Sequence, residues 1–161
     1  MRYILRQKML SFGDDFQIKT ENGDDAFLVN GKVFSFAKQL DFGDLAGNAL
    51  LSIEQQLMSW GATYVISKEG ATVAVVKKEL FNVFSYRFDI ELSDGPPLET
   101  TGDFANHEYA ITRNGQQVAA ISKQWFTMTD TYGIDIGEGE DDVLVLAIAV
   151  VIDMVCHPDR K

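Results

Sequence analysis

Ten consecutive apolar residues, Val143-Leu-Val-Leu-Ala-Ile-Ala-Val-Val-Ile152, constrain this chain more than any other feature. Acidic residues precede the run at Glu138, Glu140, Asp141 and Asp142, where carboxylates cap the free N–H groups of a first helical turn and complement its dipole. His157, Arg160 and Lys161 follow on the side where cations are favoured, and Pro158 ends the helix. The pattern predicts a helix from about Glu140 to about Cys156. The run is long for a strand, although periodicity alone does not exclude one. It is short for a membrane span, which takes roughly 20 apolar residues, and Asp153 interrupts its end. A helix that is apolar on every side must be surrounded.

The rest of the chain supplies the surround, because it reads as short strands. From Phe84 to Leu92, apolar Phe84, Tyr86, Phe88, Ile90 and Leu92 alternate with polar Ser85, Arg87, Asp89 and Glu91. A period of two places the apolar set on one face of a sheet. Phe16-Gln-Ile-Lys19 alternates in the same way over a shorter span. Val33-Phe-Ser-Phe36 and Thr72-Val-Ala-Val-Val76 are rich in β-branched and aromatic residues that suit a pleated surface. Asn22-Gly23, Asn30-Gly31 and Asn114-Gly115 carry the dipeptide favoured in type I′ hairpin turns, Glu69-Gly70 marks another tight turn, and Asp94-Gly-Pro-Pro97 reads as a loop.

An internal echo organises these strands. Gly47, Leu50, Ile53, Gln56, Thr63, Tyr64 and Ile66 recur as Gly115, Val118, Ile121, Gln124, Thr131, Tyr132 and Ile134, at a constant offset of 68 residues. Seven matches in one ungapped register point to a strand module used twice. A structure of many strands has to dispose of its edges, and closure into a barrel does so. The expected architecture is therefore a curved sheet or barrel wrapped around the C-terminal helix.

With 161 residues and 46% hydrophobic content, the chain fits one domain with a real core. Its net charge of −10 disfavours nucleic-acid phosphates as general partners. A single cysteine, Cys156, allows no internal disulfide and fits a reducing compartment, and Met1–Lys8 has no continuous apolar stretch of the signal-peptide kind. The expectation is a cytoplasmic protein with no membrane span.

Several segments resemble the LURP-one-related family. They are Tyr3-Ile-Leu-Arg-Gln-Lys8, Gly13-Asp-Asp-Phe16, Val29-Asn-Gly-Lys32, Asp44-Leu-Ala-Gly-Asn48, Ile53-Glu-Gln-Gln-Leu57 and Asp130-Thr-Tyr-Gly-Ile-Asp135 before the apolar run. The resemblance covers essentially the whole chain. It implies a tubby C-terminal-like fold: α+β but mostly β, a closed antiparallel barrel of about 12 strands over residues 2–136, threaded by a buried helix at about 140–156. The same superfamily contains phospholipid scramblases, whose segment before an apolar helix is similar to Asp130-Thr-Tyr-Gly-Ile134. The implied functions are phosphoinositide or other lipid binding, as in tubby domains, and a calcium-responsive role, as in scramblases.

No nucleophile–base pair, phosphate loop or zinc-spaced set of cysteines and histidines stands out in the sequence, so no catalytic residue and no cofactor is expected. His107, in Asn106-His-Glu-Tyr109, reads as a solvated histidine at a strand start, and His157 as a partner of the helix C-terminal carbonyls. Cys156 reads as inert, because a helix C-terminus raises a thiol's pKa. Asp130, Asp135, Glu138 and Glu140 are calcium candidates, since hard cations take clustered carboxylates, but their spacing is not that of an EF-hand. Arg6, Lys8, Lys77, Lys78, Arg87 and Arg113 are the candidates for an anion cradle. The leading expectation is a non-enzymatic binding or scaffold module for a protein or lipid partner, its oligomeric state not encoded in any motif.

Overall fold

The computed structural model describes residues 1–7, 15–32, 37–57, 62–82, 85–125 and 131–157. Among these residues, twelve strands precede one helix. They are β1 (Arg2–Gln7), β2 (Phe16–Thr20), β3 (Asp25–Gly31), β4 (Gln39–Gly43), β5 (Ala49–Gln56), β6 (Thr63–Lys68), β7 (Ala71–Asn82), β8 (Ser85–Leu92), β9 (Leu98–Asp103), β10 (Glu108–Arg113), β11 (Gln116–Ser122) and β12 (Thr131–Ile136). Each strand pairs antiparallel with its neighbour in sequence, and β1 pairs with β12, so the sheet closes into a barrel with no free edge.

The period-two pattern decides which side chains enter the barrel. In β8, Phe88 and Ile90 are buried while Glu91 stays exposed; in β6, Tyr64 and Ile66 point inward. The echo seen in the sequence is one hairpin built twice, six strands apart. Ile53 pairs with Ile66 across β5–β6, and Ile121 pairs with Ile134 across β11–β12, in the same register. The two hairpins sit on opposite sides of the twelve-strand ring.

Helix α1 (Asp142–Cys156) fills the ring. Every residue from Val145 to Met154 is 3% exposed or less, while Val143 and Leu144 are only half-buried at the entrance. The helix lies closest to β5 and β12. Asp141, one of the acidic residues before the run, is the N-cap: its carboxylate accepts from the Leu144 N–H at 3.2 Å. The Tyr3 hydroxyl donates to Asp142 at 2.7 Å, tying the first turn to β1. Burial, reinforced by that hydrogen bond, pushes the Tyr3 phenol up to about 12. Asp141→Ala is expected to cost about 1 kcal/mol, the usual value of an N-cap, read as a lower urea midpoint with an unchanged slope.

The turns match the sequence in part. Glu69-Gly70 and Asn114-Gly115 join β6–β7 and β10–β11 with positive φ at both residues, as type I′ turns require. Asn22-Gly23 does lie in a turn, but only Gly23 takes positive φ, so the turn is of another kind. Asn30-Gly31 is not a turn. Both residues belong to β3, where Gly31 pairs with Leu40 of β4 and its N–H donates to Asp15 at 2.8 Å. Val33–Phe36, Phe84, Pro158, Arg160 and Lys161 lie outside the described residues.

Candidate functional site

Odd-numbered strands end, and even-numbered strands begin, at the rim of the barrel where the helix C-terminus emerges. The buried ionisable groups gather there. His107 sits in the β9–β10 turn, directly before β10, and is buried, as are Tyr109 and Ile111 on the strand. The turn is fixed locally: Asn106 donates through its backbone N–H and its side chain to the Asp103 carboxylate, at 3.2 and 2.7 Å. Gly102, with φ +137, makes the hairpin possible, since a Cβ there would lie 2.5 Å from the Glu108 carbonyl oxygen. His107 itself holds φ +53, a left-handed conformation that is uncommon for a side-chain-bearing residue.

His107 is therefore not the solvated histidine that its sequence neighbours suggest. It is 1% exposed, and its Nε2 lies 2.6 Å from the Asp153 Oδ1 of α1. Its ring stacks on Tyr132 at 4.4 Å and on His157 at 4.5 Å. The reason is the turn: a left-handed His107 leaves the strand path, and its ring lodges between Tyr132 and His157 with Asp153 at its Nε2. Asp153 is 2% exposed and stands one helical turn before His157, so i,i+4 spacing puts both on one face of α1. Among the described residues, His107, Asp153 and His157 form the group of His, Cys, Asp and Glu side chains whose donor atoms converge, all within 4.8 Å of one another. The His157 backbone N–H caps the helix by donating to the Asp153 carbonyl at 2.9 Å, while its ring goes to His107.

The neighbours of this cluster are aromatic. Burial, with Asp153 and Cys156 nearby, pushes the Tyr109 phenol well up. Burial also pushes the Cys156 thiol up, and its sulfur rests 3.6 Å from the Tyr86 hydroxyl. Both facts agree with an unreactive cysteine.

The calcium candidates among the described residues do not converge. Asp135 faces outward on β12 and pairs with Arg2 at 3.6 Å; Glu140 is held by Arg113 through two hydrogen bonds of 2.8 and 3.1 Å; Glu138 is exposed in the turn before the helix. Asp130 lies outside the described residues. The basic candidates are spread in the same way. Arg6 is on β1, six strands around the ring from Lys77 and Lys78 on β7. Lys77 pairs with Glu91 at 3.2 Å, Arg87 with Asp89 at 3.0 Å and Arg113 with Glu140, and Lys78 lies over the Tyr86 ring. Lys8 lies outside the described residues. Opposite charges and ring faces already occupy most of the described cations, and the topology keeps Arg6 apart from Lys77 and Lys78.

The same rim carries exposed apolar side chains: Leu57 just past β5, 68% exposed, and Leu80 and Phe81 near the end of β7, 63% and 59% exposed. Leu57 also lines an open groove of about 880 Å³ along the outer face of β5–β7, with Glu54, Gln56, Val65 and Ser67.

A closed twelve-strand antiparallel barrel filled by one C-terminal helix is the tubby-like architecture. The chain belongs to the LURP-one-related family, whose sequence profile matches residues 1–153. It is similar to the uncharacterized protein YxjI of Bacillus subtilis (strain 168), 37% identical over 158 residues, 98% of this chain and 94% of that protein. It also shares its fold with an X-ray structure of an Arabidopsis thaliana protein, with a TM-score of 0.69 and 15% identity over 95% of this chain and 91% of that one. Among the described residues, no helix is long and apolar enough to cross a membrane.

Proposed function

We propose that the protein is a non-enzymatic binding module that docks a protein partner on its rim and outer wall and takes no substrate into the barrel. The observation that carries this reading is the filled interior: Val145 to Met154 occupy the space where a barrel of this size would otherwise hold a ligand. Exposed Leu57, Leu80 and Phe81, beside a groove on β5–β7, supply the kind of apolar patch that partners cover. A phosphoinositide headgroup is the weaker reading, because the basic side chains are dispersed and mostly engaged.

A photo-crosslinking residue placed at Phe81 in the native cell tests the docking. Discrete adducts are expected there, lost on Leu80→Ser, with none from a probe at Leu45, which is exposed on the opposite rim. Equal labelling from both positions would remove the rim from consideration. Vesicle flotation at low salt separates the lipid reading: the protein is expected to stay unbound with and without phosphoinositide. Phosphoinositide-dependent flotation abolished by Leu80→Ser would reassign the rim to a membrane surface.

A further inference from the structure

We propose that His107, Asp153 and His157 form a binding site for a borderline divalent transition metal of the zinc class, at the end of the barrel where the helix emerges. The proposal is independent of the docking reading above. Two imidazoles and a carboxylate are the donor set of such ions, whereas calcium and magnesium prefer oxygen donors throughout. The three donor atoms already lie within 4.8 Å of one another. A tetrahedral zinc ion would hold them about 3.3 Å apart, given zinc–ligand distances of about 2.0–2.1 Å. His107 Nε2 and Asp153 Oδ1, now hydrogen-bonded at 2.6 Å, would part by about 0.7 Å and release the shared proton to solvent as the ion replaces it.

His157 makes up the difference. The two imidazole rings stack almost parallel, 15° apart, so a shared ion requires one ring to turn. His157 is half-buried at the last cap of α1, whereas His107 is sealed in the wall. Rotation therefore falls to His157, whose partial exposure also gives the ion a way in. The other imidazole nitrogen of His107, Nδ1, is buried without a hydrogen-bond partner. Cys156 is turned toward Tyr86 and stays outside the set, leaving a fourth position for water.

The chain makes the test clean, since it holds only these two histidines and one cysteine. Protein freed of metal by a chelator is titrated with Co²⁺ and then with Zn²⁺. Expected are one equivalent of Co²⁺ with the visible bands of a low-symmetry site, displacement by Zn²⁺, and simultaneous change of both histidine ring signals in the NMR spectrum. His157→Gln, at the helix end, should weaken binding by more than the roughly 10–100-fold typical of losing a supporting contact, with an unchanged circular dichroism spectrum. His107→Gln gives a second variant from the opposite side of the site. Absence of cobalt bands at millimolar Co²⁺, perturbation of one histidine alone, or undiminished binding by His157→Gln would overturn the proposal.

Discussion

Asp153→Ala is expected to destabilise the barrel by about 3–5 kcal/mol, the range for breaking a buried hydrogen-bonded pair of ionisable groups. Asp153 and His107 meet at 2.6 Å with side chains only 2% exposed, so solvent screens the pair little. The His107 ring is held between Tyr132 and His157 and cannot swing out to solvent. One nitrogen of that ring is already without a hydrogen bond, and the substitution would strand the other. Asp153→Asn keeps the shape and a polar partner, so it should cost less. Replacing both residues with apolar ones, His107→Phe with Asp153→Leu, should recover much of the loss, because no stranded polar group remains. Urea unfolding in a chelating buffer measures all three and keeps metal out of the comparison. A loss below about 1 kcal/mol for Asp153→Ala would mean that the pair behaves like a surface contact.

Leu146→Ala should fall near the upper end of the roughly 2–5 kcal/mol range for emptying a buried leucine site. Leu146 has no solvent exposure and lies on the helix inside a ring of hydrogen-bonded strands. Such a ring cannot contract locally without breaking its ladder, so the void stays open, and the cost of a void grows with its residual volume. Val143→Ala, at the half-buried helix entrance, should cost only about 1 kcal/mol by area. The void gives a second readout: benzene or xenon should raise the melting temperature of Leu146→Ala and leave the parent unaffected. Equal losses at the two positions would contradict a filled, rigid barrel.

The helix and the closed wall were legible because both follow from burial pattern alone. Val143–Ile152 had to be enclosed, and the offset of 68 residues turned out to be one hairpin register used twice, Ile53–Ile66 and Ile121–Ile134. The polar cluster was less legible. His107 reads as solvated because nothing near it in sequence offers a partner; the left-handed turn that carries it inside is not legible from its neighbours. Asp153 carried the stronger signal. A carboxylate on a helix surrounded by wall must meet a partner there, yet that partner is 46 residues away and no local spacing reveals it. Asn30-Gly31 shows the opposite error, a strong turn signal overridden because the ladder to β4 continues through it.

Pairing of β1 with β12 also sets an order of events during synthesis. The Met1 amino group bonds the Ile136 carbonyl across 135 residues, and neither β12 nor α1 exists until nearly all of the wall has left the ribosome. Up to that moment, the inward faces of eleven strands have no core to cover. A nascent chain in this state is an open, sticky ribbon with two unpaired edges, the kind of intermediate that chaperones recognise. Closure then depends on contacts of the longest sequence separation available, which makes it slow and cooperative. Ribosome stalling or premature termination before Val143 should therefore yield aggregate in place of a partly working domain.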